Sequence, residues 1–130
     1  MPDTKLPAAK ILEASKGMAQ KRLYVVFTTP ARGLEPVMQH VKEHLDFQVD
    51  LERRGIMFGA GPFWDDDETH WSGDGMVIIR AESLAAARAI AEQDPMHKSG
   101  ARTFTIRPWL LNEGTLTLRL NFSDMTYRLE

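Results

Sequence analysis

The chain has 130 residues, 43% hydrophobic and 26% charged, with 16 Lys and Arg against 18 Asp and Glu, a formal charge of -2, and no cysteine. This length suits one ordinary domain that closes a sizeable core. The missing cysteines exclude disulfides, thiol catalysis and Cys-ligated zinc or iron–sulfur centres. Chemistry is left to histidines, carboxylates, hydroxyls and amines. Both signs of charge are spread along the chain, so no basic stripe invites nucleic acid.

No apolar run approaches the roughly 20 residues that cross a bilayer, and the N-terminus lacks the charged-then-apolar order of a signal peptide. A soluble, cytoplasmic protein with no membrane partner is expected. The segment Pro7 to Lys21 opens with Pro7 at a plausible first helical position and spaces Ile11, Leu12 and Met18 like a helix, with Gly17 weakening its middle. Leu23 to Thr29 is β-branched and aromatic without clean alternation, which predicts a strand covered on both faces. Leu34 to Arg54 places Leu34, Val37, Met38, Val41, Leu45 and Val49 three or four apart and reads as one amphipathic helix stopped by Gly55.

A short strand, Ile56 to Ala60, runs into Gly61-Pro62 and a long acidic, aromatic loop. Gly75 to Ala81 is a third strand with contiguous apolar residues. Ser83 offers an N-cap to an alanine-rich helix, Leu84 to Gln93, which Asp94-Pro95 must break. Arg102 to Arg107 alternates Phe104 and Ile106 with polar neighbours and is expected to stop at Pro108-Trp109. Thr115 to Phe122 alternates strictly, with Leu116, Leu118, Leu120 and Phe122 on one side, as in a half-buried strand.

The order helix, β-α-β-β-α-β, strand predicts an α+β fold. Its centre is a ferredoxin-like split βαβ arrangement, an antiparallel sheet with both helices on one face. Residues 1–21 are read as a helical extension, 22–109 as the central fold and 110–130 as a strand extension of the same domain. Two strands are apolar on both sides, yet the helices cover one face only. A second copy packed sheet to sheet is the economical cover, so a homodimer or higher homo-oligomer is expected; the N-terminal helix or last strand folded over that face is the alternative.

Among the four histidines, His44 flanks the apolar stripe of the first long helix and so lies near the sheet. A carboxylate beside it would fix its tautomer and support its charged form. By position alone, a core-edge histidine bound to a backbone carbonyl is the plainer reading. Asp94 ends the helix that packs alongside, where it is either the partner of His44 or a simple turn former. His40, Glu43 and His44 spell H-V-K-E-H, formally the inverted zinc-peptidase pattern, but no third ligand follows and a small strand-rich domain does not suit a peptidase. No metal site is expected. Asp65, Asp66, Asp67, Glu68 and His70 lack calcium-loop order, and Gly59 and Gly61 form no dinucleotide fingerprint, so no cofactor is expected either. Phe63, Trp64 and Trp71 supply large rings near a strand end, as small-molecule pockets use.

These residues together resemble the YciI-like (YCII-related) family of dimeric α/β-barrel proteins. The resemblance runs from Tyr24 to Trp109 through His44-Leu45, Gly61-Pro62, Gly75, Ser83-Leu84, Asp94-Pro95, Gly100 and Pro108-Trp109. It implies a ferredoxin-like protomer, a dimer with sheets face to face, and a site built on a His–Asp pair, here His44 and Asp94. The family's few assigned activities are of the lyase or dehydrochlorinase kind on small acids of aromatic degradation, and its fold is similar to that of muconolactone isomerases. The extra N-terminal helix, Met96-His97 after Asp-Pro, and the strand after Thr115 depart from shorter members. The resulting expectation is proton transfer by His44, held by Asp94, on a small carboxylate-bearing compound. Gly61, Pro62, Phe63, Trp64, Arg107 and Trp109 are the candidate substrate-binding residues. The rival expectation is a non-catalytic dimeric module that binds a small ligand.

Overall fold

The computed structural model describes residues 4–130. Its backbone packing separates two compact units: Arg22–Trp109, and the chain termini up to Lys21 and from Leu110. Within the first lie β1 (Lys21–Pro30), α2 (Leu34–Gln39), α3 (Val41–Arg53), β2 (Met57–Pro62), β3 (Gly75–Ile79), α4 (Leu84–Glu92), α5 (Pro95–Lys98) and β4 (Arg102–Leu111), the first and last strands running slightly past its bounds. The four strands form one sheet in the order β2-β3-β1-β4. β3 runs antiparallel to both β1 and β2, so those two are parallel with β3 between them, which is the split βαβ arrangement. The fold is α+β and ferredoxin-like, as its sequence order implies.

Side chains alternate across the sheet. Tyr24, Val26, Val77, Ile79, Phe104 and Ile106 point to the helices and close a core with Ala87, Ile90 and Ala91 of α4. On the other face Val25, Phe27, Met76 and Ile78 flank an open depression with Arg107, Pro108 and Trp109. Both faces of β1 and β3 are thus apolar, as their unbroken hydrophobic runs imply.

Three boundaries differ from expectation. The single long helix is two, because the chain breaks at His40, whose φ of -112° and ψ of 6° leave the helical region. The break resets the helical phase: α3 buries His44 and Leu51, while Leu45 and Val49, expected in the stripe, stay exposed. Asp94-Pro95 does end α4, but it also starts α5, with Pro95 at the first helical position. β4 continues through Pro108-Trp109 to Leu111 instead of stopping there. It is an edge strand, where a residue without an N–H is tolerated.

In the terminal unit, α1 (Ala8–Ala14) is shorter than the expected helix and ends before Gly17, whose φ of 93° suits glycine. The expected last strand shortens to β5 (Leu118–Asn121), which pairs antiparallel with an unanticipated β6 (Thr126–Leu129) in a separate two-stranded sheet. The expected half-burial is absent: Leu116, Leu118, Leu120 and Phe122 are all exposed. Among the described residues, no helix is long and apolar enough to cross a membrane.

Candidate functional site

His44 sits on the second turn of α3, and Asp94 sits at the junction of α4 and α5. The Nδ1–H of His44 points between the two carboxylate oxygens of Asp94, at 2.9 and 2.8 Å. Both residues are buried, 9% and 4% exposed. Asp94 is fixed from its own side as well, because its Oδ1 accepts the Met96 backbone N–H at 2.9 Å and so caps α5. One carboxylate therefore terminates a helix and sets the tautomer of a histidine 50 residues away. With Nδ1 engaged, Nε2 is the nitrogen left for a ligand.

His44 lines a cavity of about 320 Å³ between α3, the β2–β3 hairpin and β4. Val41, Leu45, Val77 and Met96 make its walls apolar, and Gly61 and Pro62 form its rim from β2. Its polar groups are Thr28, Gln48, Asp74 and Arg102. Arg102 is only 6% exposed, and its guanidinium lies 5.7 Å from the centre of the Trp71 ring. The Trp71 indole N–H in turn donates to the Asp74 carbonyl at 2.8 Å. Burial lowers the Arg102 pKa from its ordinary value, while the charges of Asp94 and Asp74 act in the opposite direction. An arginine so placed still remains cationic. Gly73 holds this corner of the loop at a φ of 101°, and a Cβ there would collide with the Pro30 ring.

A second histidine supports the site from behind. His97 donates from Nδ1 to the Ala91 carbonyl at 2.7 Å, so its Nε2 accepts from the Thr28 hydroxyl at 2.8 Å. The neutral ring satisfies both bonds. Burial depresses its pKa below the usual histidine value, while the Ala91 bond and the Asp94 charge oppose the shift and the Arg102 charge adds to it.

The candidates named from sequence separate into groups. His44, Gly61 and Pro62 share the cavity, with Asp94 directly behind His44. Phe63 lines a different depression with Phe27, Thr29 and Thr105. Trp64 is 65% exposed and borders none of these cavities. Arg107 and Trp109 lie on the opposite face of the sheet, where neither reaches His44, because odd-numbered residues of β4 point away from the helices. His40 lies at the helix junction beside Glu43 at 3.4 Å, so the H-V-K-E-H histidines do not share a helix face. In the acidic loop, Asp67 accepts the backbone N–H groups of Thr69 and His70, which hold its carboxyl below the usual range. Arg102 and Asp74 were missed, although Arg102 stands in phase with Phe104 and Ile106.

No curated protein sequence matches the chain. A solved structure that resembles it is 5-chloro-2-hydroxyhydroquinone dehydrochlorinase from Burkholderia phenoliruptrix AC1100, in complex with 2,5-dihydroxybenzoquinone. The TM-score is 0.55 at 22% identity, covering 67% of this chain and 92% of the other, a likeness of fold. Residues 22–110 match the YCII-related domain, nearly the same span as the compact unit that holds the His44–Asp94 pair, and the chain therefore belongs to the YCII-related family.

Proposed function

We propose that this protein is a small-molecule enzyme in which His44 and Asp94 carry out proton transfer, in a lyase, dehydrochlorinase or isomerase reaction on a small acid or an aromatic-degradation compound. The observation that carries the reading is the buried His44, clamped through Nδ1 by both oxygens of Asp94 and bordering an apolar cavity. In an elimination, Nε2 of His44 takes a proton from the substrate carbon, the freed electron pair forms the new double bond, and the leaving group departs from the neighbouring atom. In an isomerisation the same proton returns at a different carbon. Asp94 stabilises the imidazolium while it exists and keeps Nε2 free as acceptor; a positioned base of this kind contributes about 10² to 10⁴ in rate. The family membership and the dehydrochlorinase of similar fold support this class of chemistry.

The proposed unit is a homodimer, with the apolar sheet face of Val25, Phe27, Met76 and Ile78 covered by a second copy. The test is turnover of a panel of chlorinated hydroquinones and small unsaturated acids, followed by chloride release and ultraviolet absorbance. His44→Ala should leave the protein folded and lower the rate by about 10² or more. Unchanged turnover in that variant excludes His44 as the base. If the protein binds these compounds with no turnover at any pH, the non-catalytic ligand-binding module is the correct reading.

A further inference from the structure

Arg102 is the one permanently cationic side chain lining the cavity, and among the described residues no ion pair holds it there. A guanidinium buried to this degree is normally held by a carboxylate, because desolvating it alone is costly. Among the described residues no carboxylate oxygen lies within ion-pair distance of it, and its Nε is buried without a hydrogen-bond partner. The nearby acids are occupied elsewhere. Asp94 holds His44 and caps α5, and Asp74 accepts the Thr29 hydroxyl. Trp71 covers the guanidinium at a distance suited to a cation–π contact, which orients the planar group without using its N–H donors.

We infer that Arg102 is the substrate-anchoring residue of this site and that the ligand is a small planar acid whose carboxylate binds the Arg102 guanidinium. The inference rests on the cavity being the substrate site. A volume of about 320 Å³ with apolar walls suits a single-ring molecule. The guanidinium presents its donors in a planar fork that matches a carboxylate, and no other permanently cationic side chain lines the cavity. Asp74 and Asp94 would repel a free anion, and Arg102 offsets them. The anchor also defines direction, with the carboxylate toward β4 and the reacting carbon toward His44 on α3.

Benzoate and its neutral counterpart benzamide, titrated into the full chain by calorimetry and followed by ¹⁵N NMR, test this. Wild type should prefer benzoate by about 10-fold or more, as expected when a charge-assisted bond replaces a neutral one. Benzoate, and not benzamide, should move the Arg102 Nε–H resonance. In Arg102→Met the preference should fall to near unity, and in Arg102→Lys it should be partly kept, since the charge remains without the fork. If Arg102→Met does not fold, Arg102→Lys and the Nε–H shift decide. A wild type without preference, or a variant that retains it in full, overturns the assignment. Binding of neither probe overturns the cavity as the substrate site as well. Neither probe has a leaving group, so the ratio reads anchoring alone and the proton-transfer proposal can fail without altering it.

Discussion

His97 uses both ring nitrogens inside the protein, on the Ala91 carbonyl and the Thr28 hydroxyl, and this has a pH signature. Its folded pKa is depressed by burial, whereas in the unfolded chain it titrates near the ordinary value of 6.5. The contribution is therefore fully present above that value, and it is lost as pH falls through the unfolded and then the folded pKa, since only the unfolded state gains the proton. Urea midpoints measured from neutral to mildly acidic pH should fall in wild type, and this part of the decline should be missing in His97→Asn. The groups facing His97 are Asp94, Arg102 and His44. At this scale the sequence was half legible. His44 and Asp94 stood out as candidates by position, but position alone favoured a core-edge histidine and a turn-forming aspartate, and the family resemblance tipped that reading toward a site. Arg102 could have been found from parity: a charged residue in step with Phe104 and Ile106 on a half-buried strand must point inward. Arg107, selected instead, is out of step with them.

Asp94 ties a helix end to the candidate site, because one carboxylate both caps α5 and holds His44. Because Asn caps helices about as well as Asp, Asp94→Asn should keep α5 while removing the charge that supports His44. Asp94→Ala removes the cap too, and should be less stable than Asp94→Asn by about 0.5–2 kcal/mol in chemical denaturation. Ser83→Ala is the matched control. Ser83 accepts the Ala86 N–H at 3.1 Å and caps α4, so its loss should cost about 1 kcal/mol without touching the cavity. Helix ends with such local signals were readable from sequence: Ser83, Gly55 and Asp94-Pro95 all stand at true boundaries. The break at His40 was not, since no glycine or proline marks it and the apolar spacing runs straight through. The passage of β4 through Pro108 was also hidden, because tolerance of proline depends on the strand lying at the sheet edge.

The sheet order was implied by the alternation of elements, and the apolar runs of β1 and β3 foretold two apolar faces. The β5–β6 hairpin was only half legible, because Thr126 to Leu129 is short and its start depends on Asp124, which accepts both the N–H and the hydroxyl of Thr126. If the open face of the main sheet joins two copies, Phe27→Asp on that face should shift sedimentation from dimer to monomer while His44 and Asp94, on the other face, stay paired. The ties that build the site cross the whole unit: His44 to Asp94 spans 50 residues and Thr28 to His97 spans 69. Contacts this distant form late, after the entropy of closing large loops has been overcome. The proposed anchoring arginine lies on β4, the last strand of the main sheet in chain order. A chain emerging from the ribosome or from denaturant thus has no reduced version of the site, and recovery of benzoate binding marks completion of the fold instead of progress toward it.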